Sequence, residues 1–547
     1  MFFVFKKQYG MLEKIPGPPM ESRILGHTSL MSLTPETRLD FVSRLSKEYG
    51  GIFRLWMTWI PEVLISDADY AEVYFTAKSL EEKSHFYAQL HDWLGSGLLT
   101  SKGELWHERR KLITPAFHFN VLNALCDTLA QNAVVLIQKL REHPKDAPVN
   151  VTTLMHLVAL DNICESAMGI KIDALNNPKL EYIQAVEDAG VITILRGLRP
   201  WYWGRLFYYL PLGQKYRRSL DIIFGLAQTA IQNSRNKRSL QQKVTDVVNE
   251  SKEKKRLAFI DILLEACDST TKPLSDEGLR EEVNTFMFGG HETTAVSMGF
   301  TLFLLGSHPD IQEKCYEELD DIFQGSDRKA TVDDLRSMKY LEQVIKESLR
   351  LFPSAPMISR KAKADTKFGN YVVPEGTLVS FSIYSLHRNP KYFSNPEKFD
   401  PDRFSPENIK GRHHYAYTPF AAGSRNCIGK MILFLLLTCV IGYVLYFLSK
   451  FVPRYYRQYE LMEKIPGPPI QSRILGNISI MMATPENLPT LIYDQYKAYG
   501  GIIRHWISVI PTVMVAEADY AEIYFTAKGV EEKSDLYSIF KTGWATG

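Results

Sequence analysis

The stretch Phe420–Gly429, FAAGSRNCIG, sets a cysteine in a glycine-rich turn, and Met431–Ser449, MILFLLLTCVIGYVLYFLS, begins four residues after that cysteine without one charge. A thiolate held on a metal needs positive charge or N–H dipoles nearby to stay deprotonated. Gly423 and Gly429 let backbone approach the Cys427 sulfur, and Arg425 brings charge two residues away. Phe420, Gly423, Arg425, Cys427 and Gly429 together define five positions in ten. The bland alternative is a buried cysteine in a glycine-rich turn. The run behind it, flanked by Lys430 and Lys450, has the composition of a membrane anchor, with a buried core helix as the alternative.

Bulk properties narrow the field. The chain has 547 residues, 45% of them hydrophobic, enough for a large core. Lys plus Arg number 64 against 62 acids, so no electrostatic argument points to nucleic acid. Aromatic residues, at 12%, suit apolar cavities. The six cysteines lie far apart without a CxxC pair, which suggests neither a zinc site nor a disulfide framework.

Upstream, a long helical pattern runs from about Asp276 to Ser307, with Ser275 as a possible N-cap and Pro309 just beyond its end. It contains FGGHETT (288–294), where Gly289 and Gly290 interrupt side-chain coverage and can let the helix open. Glu292 and Thr293 set an acid beside an alcohol, the ingredients of a proton relay fed by water. On its own this is a solvated helix face. Glu347 and Arg350 in KESLRLFPSAP stand three apart on one helical face, suited to an ion pair that is worth little if exposed. In GELWHERRKL, Trp106 and Arg110 stand four apart, where an indole N–H and a guanidinium can bind one carboxylate. An ordinary amphipathic helix is the alternative there.

Taken in order over residues 12–430, these features resemble the cytochrome P-450 monooxygenases, whose haem-binding loop is similar to Phe420–Gly429. The resemblance implies a mainly α fold with a small β-rich part around GGIFRLW (50–56) and GNYVVPEGTLV (369–379). It makes Cys427 the thiolate ligand of a haem b iron and Glu292 with Thr293 the oxygen-activating segment. It joins Arg403 to Glu347 and Arg350 as a folding cluster, and gives the haem propionates to Trp106, Arg110, Arg360 and Arg425. Phe420, Gly423 and Gly429 would shape the loop. A thiolate ligand is the one that pushes electron density toward O–O cleavage. The implied activity is insertion of one atom of O2 into a C–H bond of a lipophilic substrate. Electrons would come from an NADPH-dependent reductase, at the cytosolic face of the endoplasmic reticulum membrane. FMFGGHETT and YTPFAAGSRNCIG further resemble the fatty-acid ω-hydroxylase branch. Many of its members carry, where this chain has Gly289, a glutamate esterified to haem. Glycine has no carboxylate, so no covalent attachment is expected.

Residues 12–97 reappear at an offset of 450: LEKIPGPPMESRILG returns as MEKIPGPPIQSRILG, with Lys14 matching Lys464 and Lys83 matching Lys533. A period that long excludes solenoid or propeller repeats. The expected organisation is a C-terminally truncated haem-thiolate domain over 1–430, an anchor-like segment over 431–449, and a partial second copy over 450–547. The family places a helix beneath the haem, then a substrate-facing β-region, where the apolar run stands. Either that run replaces the missing helix or two duplicated genes are joined at a wrong boundary, the reading the 450 register and Met431 favour. The functional alternatives are an enzyme, a haem-binding or membrane-associated protein without turnover, or a fused product without activity.

Overall fold

The computed structural model describes residues 10–22, 26–57, 60–117, 119–143, 148–248, 259–268, 273–326, 328–430, 434–446, 463–469, 488–500, 502–507 and 510–515. Its contacts divide the chain into two compact units, Met1–Lys139 with Asn150–Tyr446, and Leu140–Val149 with Phe447–Gly547.

The first unit is mainly helical and is organised by the helix Asp276–Ser307, whose bounds agree with the sequence pattern. Ser275 Oγ accepts the Gly278 N–H at 3.0 Å, while Asp276 and Glu277 meet the positive end of the helix dipole. Pro309 opens the next helix, Pro309–Phe323. The helix Val151–Ser166 packs along Asp276–Ser307, and a Cβ on Gly290 would stand 2.6 Å from Ile163 Cδ1. The helix is unbroken here, so Gly290 serves close helix packing where a local opening was expected. A Cβ on Gly289 meets nothing within 4 Å.

The β part is a four-stranded sheet in the order β1 (Ile52–Met57), β2 (Ile60–Ile65), β6 (Leu378–Ser382), β3 (Met357–Lys361), with a separate hairpin of β4 (Thr366–Phe368) and β5 (Tyr371–Val373). The β1–β2 hairpin is antiparallel, Ile52 facing Ile65, while β2 runs parallel to β6 with Glu62 facing Leu378. All five β6 residues are buried, as expected of a strand paired on both edges and covered on both faces.

The anchor-like run behaves as core where it is described. Residues 434–446 form a helix about 20 Å long at 1.5 Å per residue. Leu437, Val440, Ile441, Val444 and Leu445 are buried. A Cβ on Gly442 would lie 3.2 Å from Met338 Sδ and 3.4 Å from Leu341 Cδ2, so this glycine marks the contact with the helix Lys339–Leu351. The Tyr446 hydroxyl donates to the Ser326 carbonyl at 2.6 Å and its ring lies 4.7 Å from that of Phe323. The first compact unit runs past Lys430 through Tyr446. Among the described residues no helix is long and apolar enough to cross a membrane. Residues 431–433 and 447–449 of the expected segment lie outside those described.

In the second unit, β7 (Ile502–Ile507) and β8 (Ile510–Val515) follow the helix Leu488–Tyr499. Ile502 faces Val515, as Ile52 faces Ile65, in the same register 450 residues on. Arg504 N–H donates to the Pro466 carbonyl at 2.9 Å, and Arg54 N–H to that of Pro16 at 2.8 Å. Residues 450–462, 470–487, 501, 508–509 and 516–547 of the expected second copy lie outside the described residues.

Candidate haem-binding site

The loop around Cys427 is held by its own backbone and by one arginine. Cys427 N–H donates to the Phe420 carbonyl at 3.0 Å. Gly423 adopts φ 69°, and a Cβ there would stand 2.1 Å from the Phe75 carbonyl oxygen, so glycine is required twice over. The Gly429 N–H approaches the Cys427 sulfur, and a Cβ on Gly429 would stand 4.0 Å from that Sγ, an ordinary contact. The Phe420 ring lies 5.5 Å from that of Phe434, tying the loop to the 434–446 helix. Arg110, at the end of the helix Gly103–Ile113, donates through both terminal nitrogens to Asn426, one to its backbone and one to its side-chain oxygen, each at 2.9 Å. Cys427 as a residue is exposed, while its sulfur sits deep among neighbouring atoms. That desolvation pushes the thiol above its ordinary value, against the opposing pull of the Gly429 N–H, Arg110 and Lys430.

Beside the loop is a cluster of cations, Lys83 and Arg360 buried and Arg425 half-buried. Arg360 on β3 faces Lys83 through an isolated bridge, and Arg425 donates to the Ser101 carbonyl at 3.0 Å. The Arg425 guanidinium lies 4.0 Å above the Trp106 ring, a cation–π contact. Burial and the charge of Arg360 push Arg425 down to about 10; burial, then Arg360 and Arg425, push Lys83 well below its ordinary value. Arg360 Nη1 and Arg425 Nε and Nη1 are buried without a hydrogen-bond partner among the described residues. Uncompensated buried cations are costly, and they call for an anion. Haem carries two carboxylates and takes a thiolate ligand, and this donor set fits both.

The structure thus brings Trp106, Arg360, Arg425 and Cys427 together, and Arg110 braces the cysteine loop through Asn426. Lys83 and Ser101 carry no motif and were not anticipated. Ser101 is positioned from across the fold: Arg109 donates to Glu281 and Glu282 at 2.7 Å each, and these accept the N–H groups of Ser96 and Leu98.

The second arginine cluster is of another kind. Glu347 and Arg350 are buried. Arg350 makes five hydrogen bonds, two to the Glu347 carboxylate at 2.7 and 2.8 Å and three to the carbonyls of His387, Pro396 and Lys398. Arg403 Nε completes an ion pair with Glu347 at 3.4 Å.

On the helix Asp276–Ser307, Thr293 Oγ1 donates to the Gly289 carbonyl at 2.7 Å, while Glu292 turns to His156, Oε2 to Nε2 at 3.2 Å. Adjacent in sequence, the acid and the alcohol have separate partners. Burial, aided by the charge of Glu187, pushes Glu292 up to about 7.

The cytochrome P450 family model matches residues 16–445, a span that takes in the 434–445 part of the apolar run. The chain is 40% identical over 431 residues to cytochrome P450 4V2 of Homo sapiens, covering 78% of this chain and 82% of that protein. It is 40% identical over 448 residues to cytochrome P450 4c3 of Drosophila melanogaster (79% and 83%) and 39% identical over 438 residues to cytochrome P450 4c21 of Blattella germanica (80% and 87%). Matched by the family model over residues 16–445 and 40% identical to such relatives over about four-fifths of its length, the chain belongs to the cytochrome P450 family.

Proposed function

We propose that this haem monooxygenase hydroxylates a lipophilic substrate in the manner of the fatty-acid ω-hydroxylase branch, drawing electrons from an NADPH-dependent reductase. Haem iron on the Cys427 thiolate would supply the reductive activation of O2 and the insertion of one oxygen atom into a C–H bond. Arg360 and Arg425 hold the carboxylates of the haem b group, with Trp106 beneath Arg425. Arg110 fixes Asn426 and so the approach of the sulfur. Glu292 and Thr293 handle protons. With no carboxylate at Gly289, the haem is held without a covalent bond. The observation that carries the reading is the trio of unpartnered buried nitrogens on Arg360 and Arg425 beside the Cys427 loop.

The working domain extends through Tyr446, with the 434–446 helix standing where the family has its helix beneath the haem. Residues 450–547 are a partial second copy. We place the protein at the cytosolic face of the endoplasmic reticulum membrane; the exposed apolar side chains of Leu206 and Tyr209, 78% and 77% accessible, next to Trp201 and Leu210, support contact with a membrane surface.

The reduced, carbon-monoxide-treated chain tests the proposal. A thiolate-type Soret band, lost in Cys427→Ala, is expected, and acid–organic extraction should free the haem completely. A chain that takes up no haem overturns the reading, and one with the thiolate band that never turns over leaves a haem-binding protein without catalysis.

A further inference from the structure

His156, on the helix Val151–Ser166, belongs to no motif, yet it is the partner of Glu292. Its Nδ1 lies 3.1 Å from the Thr152 carbonyl. A carbonyl only accepts, so Nδ1 carries the hydrogen, and in a neutral imidazole Nε2 then offers only a lone pair. Across the 3.2 Å contact to Oε2 the hydrogen must come from the carboxyl group. Burial works the same way on both, pulling His156 below its ordinary value and pushing Glu292 up to about 7.

The surroundings leave that proton uncontested. Glu187 and Tyr182 face Glu292 from the helix Glu181–Leu198. The Glu187 charge disfavours an ionised Glu292, and burial holds Tyr182 far above its ordinary value. His291, pushed down to about 3 by burial, stays neutral and lies 3.1 Å through Nε2 from the His156 carbonyl, fixing the backbone beneath the pair. No lysine or arginine makes an ion pair with Glu292 among the described residues.

We infer that His156 is a positioning residue for proton delivery: its Nε2 accepts the hydrogen of a protonated Glu292 and stores that acid, ready to give, beside the Gly289–Thr293 segment. The inference rests on Glu292 being the proton donor. On delivery the Glu292 O–H bond breaks, the proton leaves toward Thr293 and the electron pair stays on the carboxylate. A solvent proton then reaches the partly exposed pair (side chains 15% and 26% accessible) and restores it. One proton enters for each one delivered, and the pair returns to neutral. A permanent cation in place of His156 would instead hold Glu292 ionised, with nothing to give.

Infrared difference spectra of the full chain against Glu292→Gln should isolate one protonated-carboxyl band, present at pH 6 and lost as pH rises through about 7. In His156→Leu that band should shift to higher frequency, the acceptor being gone, and product formed per NADPH oxidised should fall about 10-fold, with hydrogen peroxide released instead. That is an order of magnitude short of the roughly 100-fold loss expected for removing the acid. His156→Gln, whose amide oxygen can accept, should restore both in part. A missing band at pH 6, or a band and a coupling ratio unmoved in His156→Leu, overturns the inference while Glu292 keeps its role. An unchanged coupling ratio in Glu292→Gln removes Glu292 as the donor instead. The infrared readout needs only the folded chain, so it decides the matter even for a variant that loads no haem.

Discussion

Two clusters of buried arginines, a short way apart in sequence, are built on opposite principles. Arg350 finds an acceptor for every N–H it has, two on Glu347 and three on backbone carbonyls. Arg360 is buried as well and Arg425 is half-buried, yet three of their enclosed nitrogens have no partner among the described residues. Burial alone therefore does not tell a folding element from a binding site. What separates them is whether the protein completes the hydrogen bonding itself.

That contrast can be broken by substitution. Arg350→Leu strips Glu347 of its principal partner and leaves a buried carboxylate; a loss of about 3–5 kcal/mol in denaturant unfolding is expected, with haem uptake failing alongside. A loss below about 1 kcal/mol would reduce the cluster to an ordinary ion pair. Ile441→Ala asks whether the apolar run shares the core of that same cluster's helix. As a core residue it should cost about 3 kcal/mol, whereas in a free anchor it would cost nothing measurable in the haem-containing unit. Arg425→Met should do the reverse of Arg350→Leu: haem affinity falls about 10-fold or more, while the haem-free chain gains about 1 kcal/mol because an unpaired charge is gone. Equal losses with and without haem would refute its assignment to the binding side. The smallest effect belongs to Gly289→Ala. With nothing within 4 Å of the added carbon, helix stability should rise by about 0.5–1 kcal/mol. Gly290→Ala must displace Ile163 and should lower it, and paired thermal melts would read both.

Much of the site was legible because its signals are local. Ser275 and Pro309 bound the long helix through capping and the missing proline N–H, neither of which depends on the rest of the fold. The cysteine loop was legible because close backbone approach demands glycine at defined positions. Register was local too, since β1–β2 and β7–β8 pair identically from sequences that share the Ile, Arg, Trp, Ile, Pro and Val at 52, 54, 56, 60, 61 and 63. The first hairpin gains β6 as a neighbour, with β3 beyond it; among the described residues the second has a sheet of two strands.

Partners distant in sequence were not legible. Lys83 meets Arg360 through a β-bridge, Arg110 turns to Asn426, and Glu292 leaves its neighbour Thr293 for His156. No spacing rule reaches across 136 residues, and only the packing of two helices sets that pair.

The sequence by itself determined the glycine-rich turn around Cys427, the span of the long helix and the repeat at 450. Tertiary structure alone decided which arginines are satisfied, which partner Glu292 meets, and how residues 434–446 of the apolar run pack. An uncharged run suits hydrocarbon and a protein interior equally well, because both reward the same loss of water. For residues 434–446 the choice fell to Met338, Leu341 and Phe323, which offer a surface to pack against and a carbonyl at Ser326 for the hydroxyl of Tyr446.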